Sequence, residues 1–432
     1  MNNSRYKAVV FVSSACLLAL LLAGAHIGRS ASTSDDAYRH MAVFAEVLAR
    51  IKSDYVEEPD LKSVTLGAVT GLLEAVDPFA SYLNADQYKQ YLREKDQHKG
   101  DVGMVLAKRY GYVAVVSVLP GSPADQVGIS SGDLIESIQG IATRDMPLAY
   151  AELLLKGPPG SKVEISLLHM PDPETQKVTL TRAPVVIPPV TSAMLAEQVG
   201  YIRPETLVAG KANEVAAAVR ALEKQGAKGI VLDLRECALG VPEEGITLAN
   251  LFINKGMLTY LSGQRVARQE YNAEASKAIT RLPLVVTANR GTADGAEIAA
   301  MALLENKRAE VVGERTFGDA AVRRTINLED GGALILSVAK YYSPQGKSIQ
   351  DNGVTPSVPY IESDDSDISE DDSQTPQPLA PKPRPRPQDD GLIKKAVEVL
   401  LKGPGGSQVQ AAAGMATAPS DLQPGPLGVP RK

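Results

Sequence analysis

From Thr191 onward the chain alternates runs of Val, Ile and Leu with helical stretches, and that alternation restricts its fold more than any other feature. The runs in VGYIRP, GIVLDLR, LPLVVTAN and AEVVGE lack the alternating polar positions of a strand that faces water on one side, so they must be covered on both faces. Between them, Ala209 to Gln225, Gly245 to Asn254 and Ala296 to Asn306 read as helices. With GALILSVAKYYS as a fifth strand, the expectation is a largely parallel or mixed sheet covered by helices.

Other stretches follow different periods, so the whole chain is expected to be an α+β or α/β multidomain protein. Residues 36–97 read as a helical N-terminal region. In MAVFAEVLARIKSDYV, Val43, Val47, Leu48, Ile51 and Tyr55 recur at three and four, and a second run, Leu66 to Val76, stops at Asp77-Pro78. Residues 99–184 read as short β-runs between turns. Ser122-Pro123 opens a short helix, and Gly132-Asp133 turns into a strand of Leu134, Ile135 and Ile138. The strand–helix core is placed at 191–360, with an amphipathic helix at 390–402 returning to it. An acidic and Pro-rich linker at 361–389 and a tail at 403–432, expected to be disordered, complete the chain.

A net charge of −6 on 432 residues gives no electrostatic reason to expect nucleic acid, which is excluded as a partner. Residues 1–30 carry a targeting signal: Arg5 and Lys7 precede an uncharged run from Ala8 to Gly28, closed by Arg29. That run is long enough to cross a bilayer as a helix of about 20 residues. Asp35 and Asp36 beyond it put the body on the outer side, anchored in the cell envelope. A cleaved signal peptide is the alternative, because Ala23-Gly24-Ala25 has the form of a cleavage site. Both readings export the body to the periplasm or beyond. Only Cys16 and Cys237 occur, so no disulfide can form within the exported part, and His26, His40, His98 and His169 show no metal-binding spacing. No metal or cofactor is expected.

The segment GTADGAEIAAMALLENKRAEVVGERTFGD, Gly291 to Asp319, resembles the catalytic segment of the carboxyl-terminal processing serine peptidases, or tail-specific proteases. DPFASYL (Asp77 to Leu83) and SPQGKSIQDNGVTPSV (Ser343 to Val358) are similar to turns of that family, and GSPADQVGISSGDLIESIQG (Gly121 to Gly140) resembles a PDZ fingerprint. The resemblance spans about Asp36 to Lys402 and implies a PDZ domain beside a crotonase-like core. It also implies a nucleophilic serine ahead of Glu-Ile and a general-base lysine after Phe-Gly. In register with Gly291, Glu297, Ile298, Phe317 and Gly318, those positions hold Asp294 and Asp319 at the family's own interval. Arg323 stands where a glutamine is usual. DLRECALG, Asp233 to Gly240, stands where the family has Asp-Leu-Arg-x-Asn-Pro-Gly-Gly, so Leu239 occupies the oxyanion turn, where a non-glycine residue is disfavoured if φ must be positive.

Acyl transfer needs a hydroxyl nucleophile, a base and oxyanion donors. A carboxylate at 294 supplies no hydroxyl, and an acid at 319 reverses the charge of the base. The expectation is therefore a non-catalytic relative that serves as a peptide-binding adaptor or regulator. The alternatives are an active serine-type endopeptidase and a hydrolase built on the two carboxylates. Pairing of Asp294 and Asp319 with Arg323 is favoured over cation binding. Thr292 has no base in the local sequence, and Cys237 is read as a small buried apolar residue. The PDZ resemblance implies that peptides add as a strand, with their terminal carboxylate in an N–H nest at Gly100-Asp101-Val102-Gly103-Met104. Asp101 would repel that carboxylate unless its side chain points away, and the turn can also be read as a plain connection. Expected partners are protein C-termini or unfolded peptides, an active relative or a second copy, and the membrane through the N-terminal helix.

Overall fold

The computed structural model describes residues 38–77, 79–95, 99–144, 146–169, 174–361, 379–381 and 384–403. The expected membrane helix or signal peptide at 1–30, most of the acidic linker and the tail beyond Gly403 lie outside them. Among the described residues no helix is long and apolar enough to cross a membrane. The chain divides between Val69 and Thr70 into two units. The first holds α1 (residues 38–54) and the start of α2 (Leu61–Val76). Leu48 and Ile51 of α1 are half-buried while Val43 and Val47 of the same helix and Tyr55 just beyond it are exposed, so the expected apolar stripe builds no core within this unit.

In the second unit α2 stops at Asp77, whose carboxylate accepts from Phe79 N–H (3.0 Å) and from Ser337 N–H (2.9 Å). The short strand β1 (Ser81–Leu83) follows, then α3 (Ala85–Glu94), opened by a capping box between Asn84 and Gln87. Next comes an antiparallel domain of β2 (Met104–Arg109), β3 (Tyr112–Val118), α4 (Pro123–Gln126), β4 (Leu134–Ile138), β5 (Ile141–Ala142), α5 (Leu148–Leu155), β6 (Lys162–Leu168) and β7 (Thr175–Thr181). Its strands run in the order β2-β3-β4-β6-β7, with β5 on β4. Ser122 caps α4 by accepting from Asp125 N–H, and Pro123 sits in the first turn, where its missing donor costs nothing. Val113, Ile135, Ile138, Ala151, Ile165 and Leu167 form the core.

The core domain runs through β8 (Thr191–Met194), β9 (Val199–Arg203), α6 (Lys211–Lys224), β10 (Gly229–Asp233), α7 (Pro242–Asn250), β11 (Met257–Ser262), β12 (Gln269–Asn272), β13 (Leu284–Ala288), α8 (Gly295–Glu305), β14 (Glu310–Gly313), β15 (Ala321–Asn327), β16 (Ala333–Tyr342), β17 (Val358–Pro359) and α9 (Gly391–Lys402). Six strands lie in the order β17-β14-β13-β10-β9-β8, parallel except for β8. Every residue of β10 and β13 is buried, as two covered faces require. Strand alternation sends Ile230, Leu232 and Val286 toward α6, α7 and α8, and Val231, Val285 and Val312 toward Leu392, Ile393, Ala396 and Val399 of α9.

One strand differs from the sequence reading. The run GALILSVAKYYS forms β16, which joins a separate antiparallel sheet ordered β1-β16-β11-β12, with β15 also on β16. Most of β16 is only half-buried, the mark of a strand with one open face rather than a covered parallel strand. Because β1 pairs with β16, the small antiparallel domain is inserted between two strands of one sheet.

Candidate functional site

The candidate site is built where β13 turns into α8. Helices α7 and α8 meet at two glycines: a Cβ on Gly245 would lie 2.0 Å from the Gly295 carbonyl oxygen, and one on Gly295 would lie 2.6 Å from that of Val241. This approach fixes the start of α8, and Asp294 stands immediately before it with φ 52° and ψ −126°. A non-glycine residue there is strained, as in the strand-to-helix elbows that project a side chain from a sheet. Backbone bonds hold the elbow on three sides. Asp294 N–H donates to Asp319 O (2.8 Å), Ala293 N–H to Cys237 O (3.1 Å) and Phe317 N–H to Thr292 O (3.0 Å). The Thr292 hydroxyl is committed to structure, donating to Leu234 O (2.8 Å) and accepting from Asn289 N–H (3.1 Å).

The loop bearing Asp319 is tied to α8 by Glu297. Fully buried, Glu297 accepts from the Thr316 hydroxyl, from Gly318 N–H (2.7 Å) and from Asp319 N–H (2.8 Å). In the sequence Glu297 serves only as a register mark. Its signal was present as the one acid inside the apolar stretch AEIAAMALL.

Asp294 and Asp319 are thus brought together. The Asp319 carboxylate pairs with the Arg323 guanidinium, which also lies 4.5 Å over the Phe79 ring. Among the described residues Asp294 makes no side-chain hydrogen bond, so the expected Arg323 pairing forms with Asp319 alone. Burial first, and then the charge of Asp319, push the Asp294 carboxyl up to about 8, against the pull of Arg323. Burial raises Asp319 as well, with Arg323 the main opposing influence.

The turn after β10 starts from Asp233, which is fully buried and accepts from Arg235 Nε (2.9 Å), Tyr201 OH (2.9 Å) and Thr287 Oγ1 (2.8 Å). Burial opposes its charge, but Arg235 and Arg203 hold it well below the usual carboxylate range. Leu239 is not left-handed, contrary to the concern about its φ; in this turn that conformation falls on Glu236, φ 60°. Glu236 takes it in a reciprocal clasp, donating N–H to Asn289 Oδ1 (3.1 Å) and accepting from Asn289 Nδ2 (2.7 Å). Leu239 instead pairs like strand, its carbonyl accepting from Leu207 N–H (2.8 Å) beside a parallel bridge between Leu207 and Gly240. Cys237 is 1% exposed, and burial pushes its thiol up, consistent with an apolar role.

The antiparallel domain borders this site. Ala238, Ala293 and Phe317 pack in one apolar cluster with Val102, Leu106 and Leu155, and Phe317 meets Phe79 edge-on at 5.8 Å. The turn before β2 is pinned by paired backbone bonds, Gly100 with Gly157 and Asp101 with Ala183. Gly103 has φ +80°, and a Cβ there would sit 2.2 Å from Ser122 Cβ, so only glycine fits. The Asp101 side chain turns into the loop: its Oδ1 accepts from Val102 N–H (2.6 Å) and Gly103 N–H (3.3 Å).

Residues 198–360 match Peptidase family S41, and residues 115–168 match a PDZ domain. The chain is 31% identical over 351 residues to the carboxy-terminal processing protease CtpA of Bacillus subtilis, covering 78% of this chain and 74% of that protein. It is 32% identical over 314 residues to the carboxyl-terminal-processing protease of Synechocystis, covering 71% and 73%. Among solved structures, the photosystem II D1 C-terminal processing protease superposes with a TM-score of 0.61 at 29% identity, over 74% of this chain and 92% of that one. With this likeness in sequence and in fold, the chain belongs to the S41 carboxyl-terminal processing protease family and carries its PDZ domain.

Proposed function

We propose that this protein is a non-catalytic member of its family, a peptide-binding adaptor or regulator whose elbow no longer performs acyl transfer. The observation that carries this reading is Asp294: a carboxylate on the strained elbow, backbone-bonded to Asp319, which is itself engaged by Arg323. In the family's register these are the nucleophile and base positions. A carboxylate there offers no hydroxyl to acylate, and an acid paired with a guanidinium accepts no proton from one. Thr292, the nearby hydroxyl, is engaged by Leu234 and Asn289.

The raised carboxyl of Asp294 favours one competing reading, in which the two acids share a proton and activate water. Against it, the two carboxylates are joined by no hydrogen bond among the described residues, and Asp319 is engaged by Arg323 instead. The body acts on the exported side of a membrane, tethered or released by the 1–30 segment. Its partners are protein C-termini or unfolded peptides reached through the PDZ domain, with an active relative or a second copy as further candidates.

Rebuilding tests the reading. Asp294→Ser with Asp319→Lys and Arg323→Gln should recover little turnover of an unfolded protein substrate while Ala238 and Leu239 still occupy the oxyanion turn. Adding Ala238→Pro and Leu239→Gly should recover more. Measurable turnover by the unaltered chain, matching that of the rebuilt ones, would sink it.

A further inference from the structure

The PDZ groove has an open edge and an occupied end. Strand β2 lies at the edge of its sheet, pairing with β3 alone among the described strands, and α5 packs beside it. An extended peptide can add along β2, which is the general mode of such domains. At the head of β2, a ligand's terminal carboxylate would need the backbone N–H groups of the Val102–Gly103 turn. Both already point at a carboxylate, because Asp101 Oδ1 accepts from Val102 and from Gly103. The backbone of Asp101 is itself locked by its two bonds to Ala183, at 2.9 and 3.0 Å. Its side chain therefore springs from a fixed point at the mouth of the nest.

We infer that Asp101 stands in for the ligand carboxylate, so that this PDZ domain takes an internal, extended segment of an unfolded chain along β2 rather than a free C-terminus. The inference rests on the peptide-binding reading above and narrows it. An incoming carboxylate would have to displace two charge-assisted hydrogen bonds and then lie beside the Asp101 charge it displaced. An internal segment or an amidated end meets neither penalty, because its strand bonds to β2 need no charge at the nest.

The test compares a fluorescein-labelled seven-residue peptide ending Leu-Ala-Ala as free acid with the same peptide amidated. Both are titrated onto the full chain by fluorescence anisotropy. The unaltered protein should bind the two forms within about two-fold of each other, whereas Asp101→Ala, which vacates the nest, should prefer the acid by about ten-fold or more. Asp101 is not in a left-handed conformation, so alanine is conformationally tolerated there. Asp101→Asn supplies the control, since its amide oxygen can accept the same two N–H groups, and it should keep the indifference of the unaltered chain. A strong acid preference in the unaltered protein, its absence in Asp101→Ala, or its appearance in Asp101→Asn would each overturn the inference. If the acid binds Asp101→Ala and neither peptide binds the unaltered chain, the occupied nest stands and the peptide-binding reading falls.

Discussion

Replacing Asp294 by asparagine should stabilise the protein increasingly as pH rises above about 4, least in mild acid and most in alkali. The folded carboxyl is raised to about 8, whereas an unfolded aspartate ionises near 3.9. A raised acid favours the protonated fold, so its contribution is fully present below the unfolded value and is lost as pH rises through the folded one. Four units at about 1.4 kcal/mol each set a ceiling of about 5 to 6 kcal/mol. Asp294 is only half-buried and shares its charge with Asp319, which cuts the expectation to about 1–3 kcal/mol. Asparagine tolerates positive φ about as well as aspartate, so elbow strain is matched between the two proteins. Urea unfolding at about pH 5 and about pH 9 reads the difference, which includes the repulsion of Glu297 and Asp319 that the variant no longer carries. Parallel losses of stability in the two proteins, or a variant that is weaker in alkali, would refute the reasoning.

Three further outcomes follow from the same geometry. Gly245→Ala drives a Cβ to 2.0 Å from the Gly295 carbonyl oxygen, and should lower stability by about 3 kcal/mol or more or leave the chain insoluble; a normal urea midpoint would contradict the close helix contact. Glu297→Ala strands the Gly318 and Asp319 N–H groups and the Thr316 hydroxyl, and should cost at least about 3 kcal/mol, with faster hydrogen exchange at Gly318 and Asp319 as its local signature. Arg323→Ala leaves Asp319 without its cation and should cost about 1–3 kcal/mol near neutral pH, shrinking in acid where Asp319 takes up a proton; a loss independent of pH would argue that Arg323 acts by packing on Phe79 instead.

Much of this was legible in the sequence where one local rule decides the outcome. The covered strands β10, β13 and β14 follow from their uninterrupted apolar runs, and α4 follows from Ser122-Pro123. The adjacency of Asp294 and Asp319 followed from register with the family's flanking residues. What escaped was set by distant partners. The run of β16 is apolar enough for either sheet, and only its pairing with β1, β11 and β15 assigns it. Leu239 is drawn into strand-like pairing by Leu207, and Glu236 takes the left-handed residue through Asn289. The direction of the Asp101 side chain was posed as a question by the sequence, and it is settled by two backbone N–H groups of its own turn.

The most direct measurement is cleavage itself. The purified chain, its Asp294→Ala and Asp319→Ala variants and an active S41 protease as positive control are incubated with a reduced, unfolded protein, and new termini are counted by mass spectrometry. A non-catalytic elbow predicts no termini above those in buffer for all three forms of this chain. Turnover by the unaltered protein that disappears in either variant would contradict it and assign the chemistry to the two carboxylates.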